Sequence, residues 1–257
     1  MAGYGAISRQ KEITDRLRAE GRVSVTGLAE ALGVSVVTIR NDLEALEQQQ
    51  LLLRLRGGAI ALHPARAPRA PHPQASGLDA ENQRIGEMGA SLVRNGETVI
   101  IDAGSTALAL ARALPSILQD VTVVTPALDV ALELESHVGV KVILTGGTVA
   151  KSQRSLVPPF ATGLLRQINA DIAFVGCSGV DAKRGFTAQS SEEAEVKHAI
   201  VAAAARVIFL ADHAKLGHVA TARIADLTDA ERLITDSGAD AEGLRALEQG
   251  GLTVVTV

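Results

Sequence analysis

Asp102-Ala103-Gly104-Ser105-Thr106 joins three chemistries within five residues: a carboxylate, a glycine free to turn and two hydroxyls. An apolar run precedes it, and Ala107-Leu108-Ala109-Leu110-Ala111-Arg112-Ala113-Leu114, rich in helix formers, follows. Gly104 permits a tight turn, Ser105 and Thr106 offer hydroxyl donors, and the free N–H groups of a starting helix favour an anion. The same residues also read as a Ser/Thr cap beneath a turn, and this loop alone leaves the two readings even. Polar residues close four more apolar runs. They are Thr125 before Pro126, Thr145-Gly146-Gly147-Thr148, Gly176-Cys177-Ser178-Gly179-Val180-Asp181 with Gly185-Phe186-Thr187, and Ala211-Asp212-His213-Ala214-Lys215-Leu216-Gly217. Donors for phosphate and carboxylates for hydroxyls are what a sugar phosphate requires. The candidate effector-binding residues are therefore Asp102, Gly104, Ser105, Thr106, Thr125, Gly146, Gly147, Gly176, Asp181, Thr187, Lys197 and Lys215. Glu193 and Lys197, at i, i+4, read by default as a solvated helical pair. Lys197 facing the pocket is the sharper alternative, and the phosphate's cation is left open between it and Lys215.

A second chemistry lies near the amino end. Ser35-Val36-Val37-Thr38-Ile39-Arg40-Asn41-Asp42-Leu43 follows a short helix, Thr26 to Leu32, closed by Gly33. Ser35 stands as an N-cap, and Ile39, Leu43 and Leu46 form one inward stripe. Val37, Thr38, Arg40, Asn41 and Glu44 point largely the other way, a face suited to base edges and phosphates in a major groove. An ordinary amphipathic hairpin has the same spacing, so the flanks decide. Ser8 to Glu20 supplies a third helix. After it, Leu53 and Leu55 alternate with Arg54 and Arg56 before Gly57-Gly58, a period of two that sets both arginines on one face of a short strand. Three helices and a basic wing predict a winged helix-turn-helix. Its DNA-binding residues are Ser35, Val37, Thr38, Arg40, Asn41, Arg54 and Arg56.

The elements that must position these residues form two domains. From Thr98 the chain alternates helix-length segments with short apolar runs: Thr98–Asp102, Val121–Thr125, Val140–Thr145, Ile172–Gly176, Val207–Ala211 and Leu252–Val257. Such runs predict a mostly parallel sheet covered on both faces, with ligands beyond the carboxyl ends of its strands. The fold class is α/β: an N-terminal all-α winged helix-turn-helix joined to a larger Rossmann-like α/β domain. The expected boundaries are 1–60 for DNA binding, 61–78 for a proline-rich linker and 79–257 for sensing.

Charge divides along the same line. Through Leu78 there are ten Lys and Arg against seven Asp and Glu; the rest holds fifteen against twenty-two, within a net charge of −4. Positive charge thus sits where DNA binding needs it. No apolar run is long enough to span a membrane and no leader opens the chain, so a cytoplasmic protein without membrane contact is expected. One cysteine, Cys177, excludes an internal disulfide and reads as a small core hydrophobe. No Cys/His cluster has zinc spacing, so neither a metal nor any other cofactor is expected.

Taken together, Arg22-Val23-Ser24-Val25, Gly33 to Leu43, Gly57-Gly58-Ala59, the Asp102–Thr106 loop, Leu144 to Thr148, Gly176 to Asp181, Gly185 to Thr187, Val196-Lys197 and Ala211 to Gly217 resemble the DeoR family of bacterial transcription regulators. The resemblance covers nearly the whole chain outside the linker. It implies a C-terminal domain similar in fold to ribose-5-phosphate isomerase, a phosphorylated sugar as effector, and double-stranded operator DNA as partner. Three residues depart from the family's pattern. Asn41 and Arg56 stand where Arg or Lys and His are usual, and Ser178 replaces the aspartate of a Gly-Ala-Asp-Gly run. The expected function is a sequence-specific regulator, a repressor of a carbohydrate-metabolism operon released by its ligand, with no catalytic residue. The competing reading is a sugar-phosphate isomerase or deaminase with a fused DNA-binding arm; it needs a positioned base, which Ser178 is not. A dinucleotide-binding redox sensor fails for want of a Gly-x-Gly-x-x-Gly turn after any strand. One winged helix covers about one half-site, so at least a homodimer is expected, and the family suggests a homotetramer.

Overall fold

The computed structural model describes residues 6–20, 22–48, 52–55, 57–61, 79–150 and 153–257. The chain divides into two compact units, Met1–Pro73 and Gln74–Val257.

In the first unit, α1 (Ala6–Glu20), β1 (Arg22–Ser24), α2 (Val25–Leu32) and α3 (Val36–Gln48) are followed by β2 (Leu52–Leu55) and β3 (Gly58–Ala61). Ser24 caps α2 by accepting from Gly27 N at 3.0 Å, and Gly33 ends it in the left-handed conformation, φ 64°. Ile13 and Leu17 of α1, Leu28 of α2, and Ile39, Leu43 and Leu46 of α3 meet in one core, closed below by Val23, Leu52 and Ala59. The three strands form an antiparallel sheet in the order β1-β3-β2. In the wing only one leucine of β2 is buried. Leu52, of the same parity as Arg54, is buried, whereas Leu53 and Leu55 are exposed. The reason is that β2 lies at the sheet edge and only its first residue reaches the helical core. Arg54 therefore shares its strand face with the core side. Arg56 lies outside the described residues.

The second unit runs α4 (Asp79–Ala90), β4 (Thr98–Ile101), α5 (Ser105–Ala113), β5 (Val121–Thr125), α6 (Leu128–Leu134), β6 (Val140–Leu144), β7 (Thr148–Ala150), β8 (Ser155–Val157), α7 (Ala161–Leu165) and β9 (Ala170–Gly176). It continues with β10 (Gly179–Asp181), β11 (Gly185–Ala188), α8 (Ser191–Ala202), β12 (Ala204–Leu210), β13 (Ala222–Ala225), β14 (Arg232–Thr235), α9 (Ala241–Gln249) and β15 (Val254–Thr256). Seven strands make one parallel sheet in the order β15-β14-β12-β9-β4-β5-β6. Its two faces have separate cores. Ile100, Ala173, Val175 and Phe209 point to one side with Ile200 of α8; Val99, Ile101, Phe174 and Ile208 point to the other with Ile85 of α4 and Leu110 of α5. The near-continuous apolar strands are thus buried twice over. Helices α4 and α5 pack very closely at Gly86, where a Cβ would come within 2.6 Å of the Ala109 backbone.

The strand order reverses at β4. From it the chain moves outward through β5 and β6, then crosses to β9 on the other side and continues to β12, β14 and β15. The carboxyl ends of β4 and β9 are therefore the topological switch point, where open α/β sheets take ligands.

Candidate functional site

The start of α3 is set by polar bonds. Ser35 Oγ accepts from Thr38 N at 3.1 Å and meets Thr38 Oγ1 at 2.8 Å, so both hydroxyls hold the helix end. Asp42 is buried and faces α1, accepting Arg9 Nη2 at 3.1 Å and Gln10 Nε2 at 3.4 Å. That clamp fixes the roll of α3 and leaves Val37 (63% exposed), Arg40, Asn41 and Glu44 outward. The wing leans on the same helix. Arg54 N donates to Glu47 Oε1 at 3.0 Å, and its guanidinium lies 3.8 Å from Glu44 and 3.9 Å from Glu47.

At the switch point Asp102 and Lys197 form a buried ion pair. Asp102 Oδ2 also accepts Gly176 N at 3.0 Å, tying the end of β4 to the end of β9. Glu193 stands 3.5 Å from Lys197 Nζ. Burial works against the ammonium, but Asp102 and then Glu193 outweigh it, so its pKa lies above the ordinary lysine value. The i, i+4 pair is therefore an interior triad and not a solvated one. Beside it, burial pushes the Cys177 thiol up to about 11, against the partial pull of Lys215 and Lys197. Cys177 is a core residue.

Gly104 adopts φ 126°, a conformation open to glycine, and no side chain caps α5 behind it. The amino end of this nine-residue helix and the exposed Ser105 face outward. Thr106 departs from expectation. It is buried, and Oγ1 donates to Asn82 Oδ1 of α4 at 2.7 Å, while Asn82 Nδ2 approaches Ser105 Oγ at 3.4 Å. The hydroxyl belongs to the α4–α5 contact because α5 packs that face against α4. Nothing in the local sequence marks Asn82, 24 residues upstream.

Other expected ligand groups also meet internal partners. Thr125 is fully buried and accepts Ala127 N; Thr187 donates to Gly179 O and accepts Ala220 N at 2.9 Å. Asp181 accepts the N–H groups of Lys183 and Arg184, closing its own hairpin. Gly146 and Gly147 turn with positive φ from β6 into β7, and a Cβ on Gly147 would strike Val157 O. Lys215 is a quarter exposed, its Nζ 3.2 Å from Asp212. The structure thus joins Asp102, Gly176 and Lys197 at the ends of β4 and β9, with Gly104 and the exposed Ser105 next in the chain, while Thr106, Thr125, Asp181 and Thr187 hold the frame.

Residues 9–65 match the DeoR-like helix-turn-helix domain, and residues 79–237 match the DeoR C terminal sensor domain. The chain belongs to the DeoR family. A relative similar over nearly its whole length is the HTH-type transcriptional regulator GolR of Listeria innocua serovar 6a, 33% identical over 248 residues, 96% of this chain and 97% of its own. Another is the HTH-type transcriptional repressor GlcR of Bacillus subtilis, 33% identical over 224 residues, 87% of this chain and 86% of its own. Among solved structures, ribose 5-phosphate isomerase from Plasmodium falciparum superposes with a TM-score of 0.40 and 14% identity over 53% of this chain and 52% of that one. The DeoR relatives regulate transcription, and this chain is a DNA-binding transcription regulator, not an enzyme. No helix among the described residues is long and apolar enough to cross a membrane.

Proposed function

We propose that this DeoR-family regulator represses a carbohydrate-metabolism operon in the cytoplasm and leaves its double-stranded operator when a phosphorylated sugar binds the sensor domain. One observation carries the effector reading. The amino end of α5 is uncapped at the switch point, with the Ser105 hydroxyl beside it and Lys197 paired to Asp102 just before it in the chain. Free N–H groups and a helix dipole there favour a phosphate. Lys215 is the better candidate for a direct contact, since Lys197 is enclosed by two carboxylates. On the DNA side, Arg40 and Asn41 supply base-reading groups and Val37 an apolar contact for a thymine methyl. A single winged helix covers one half-site, so the active form is a homodimer or a homotetramer.

The test is a panel of phosphorylated and plain sugars, scored by melting temperature and by release of a labelled operator. One phosphorylated sugar is expected to raise the melting temperature and release DNA, while its plain counterpart does neither. A panel in which only plain sugars act would overturn the phosphate reading.

A further inference from the structure

Four of the exposed large apolar residues of the sensor unit, Leu132, Val138, Leu144 and Val149, lie on β6 or on the segments either side of it in sequence, while Ile117 (82% exposed), Phe160 (71% exposed), Met88 and Val219 belong to other segments. Ile117, Val138 and Val140 line a surface concavity of about 600 Å3 at the start of β6. Strand β6 is also the last in its sheet, so among the described residues one side has no strand beside it. Apolar surface concentrated at an open edge marks an association site, since natural edges are otherwise blunted by charge, proline or a bulge. In Val140-Lys141-Val142-Ile143-Leu144 the one charge is Lys141.

The backbone says what fits. Val121 N donates to Gly139 O and Thr145 N to Thr125 O, each at 3.1 Å. Parallel pairing alternates, so the odd-numbered residues of β6 bond to β5. Val142 and Leu144 therefore turn their N–H and C=O groups outward, where another strand completes them. We infer that β6 pairs antiparallel with β6 of a second copy about a two-fold axis at Val142, joining the two sensor sheets into one. The pairing is self-complementary. Val142 faces its own copy, Val140 faces Leu144, and Lys141 faces Ile143, so no like charges are directly opposed. A second copy is the occupant because an operator-binding winged helix needs a partner for its second half-site; to that extent the inference rests on the proposed function.

Two variants of the full chain test it. Val142→Pro deletes an outward N–H and is tolerated by an edge strand, yet it blocks addition of another strand. Sedimentation is expected to show a dimer for the parent and a monomer for Val142→Pro, with unchanged circular dichroism. Val142→Cys places two thiols across the axis at a Cα separation of about 5.5 Å, within disulfide range. It is expected to yield a covalent dimer on oxidation, which Lys141→Cys, displaced from the axis, does not. A dimer that survives Val142→Pro, or a Val142→Cys chain that fails to cross-link, overturns the edge pairing and leaves the dimeric regulator standing. A parent chain that is monomeric even on its operator overturns both.

Discussion

Lys197 keeps its charge in the sensor interior only because Asp102 and Glu193 enclose it. Removing one member of a buried pair leaves the other uncompensated, so Lys197→Met should cost about 3–5 kcal/mol of stability. Urea denaturation at neutral pH checks this, and a loss below about 1 kcal/mol would be that of a surface pair. The same cluster sets an alkaline limit. The folded pKa of Cys177 is raised from 9.0 to about 11, and that of Lys197 also lies above its ordinary value. Both groups retain protons in the fold that the unfolded chain releases, so their contribution is whole below about pH 9 and falls as pH rises toward the folded values. Cys177→Ala should remove the lower part of that fall. Superimposable alkaline limbs for parent and variant would mean the thiol ionises as readily in the fold as out of it. Which reading of Glu193 and Lys197 holds was not legible in the sequence: the i, i+4 spacing is common to both, and the deciding carboxylate lies 95 residues away.

At the scale of elements, α5 carries two adjacent hydroxyls with different duties. Ser105→Ala is expected to weaken the response to the sugar phosphate at unchanged operator affinity, because a ligand shifts the DNA-binding state only by its differential affinity. Thr106→Ala is expected instead to lower stability by about 1–3 kcal/mol, leaving buried Asn82 without its donor. Melting curves and operator-release titrations separate the two, and equal effects on both readouts would refute the division. The wing and α3 act as one element too. Arg54 lies between Glu44 and Glu47, whose carboxylates would otherwise face DNA unscreened. Arg54→Gln should weaken operator binding, and adding Glu44→Gln should restore part of it; no restoration would point to a direct phosphate contact by Arg54. Most of the sheet was readable, since β5 coincides with its apolar run and β4, β6, β9 and β12 begin or end within three residues of theirs. Strand β14 escaped because Arg232-Leu233-Ile234-Thr235 is short and opens on a charge. The small antiparallel sheets escaped because Gly179–Asp181 and Gly185–Ala188 read as polar strand ends, and it is their pairing that uses Thr187 and Asp181 internally.

The molecule as a whole is two machines on one chain, each with a core of its own. Ile13 through Ala59 supply the buried apolar residues of the first unit, and both sensor cores draw only on residues from Ile85 onward. The family matches fall the same way, at 9–65 and 79–237. The four prolines between Pro64 and Pro73, in the expected linker, lie outside the described residues. The sensor thus has cores of its own. That makes the sensor separable. A fragment of residues 74–257 is expected to unfold cooperatively, to keep the full melting-temperature increase with the effector, and to remain dimeric if β6 pairs as inferred, while binding no operator. The expectation has physical content beyond solubility: ligand stabilisation depends on the ratio of ligand concentration to its dissociation constant, so an intact site gives the same concentration dependence in fragment and full chain. A dissociation constant weakened tenfold or more in the fragment, about 1.4 kcal/mol, would mean that the DNA-binding unit helps build the effector site and that the two units are one cooperative body.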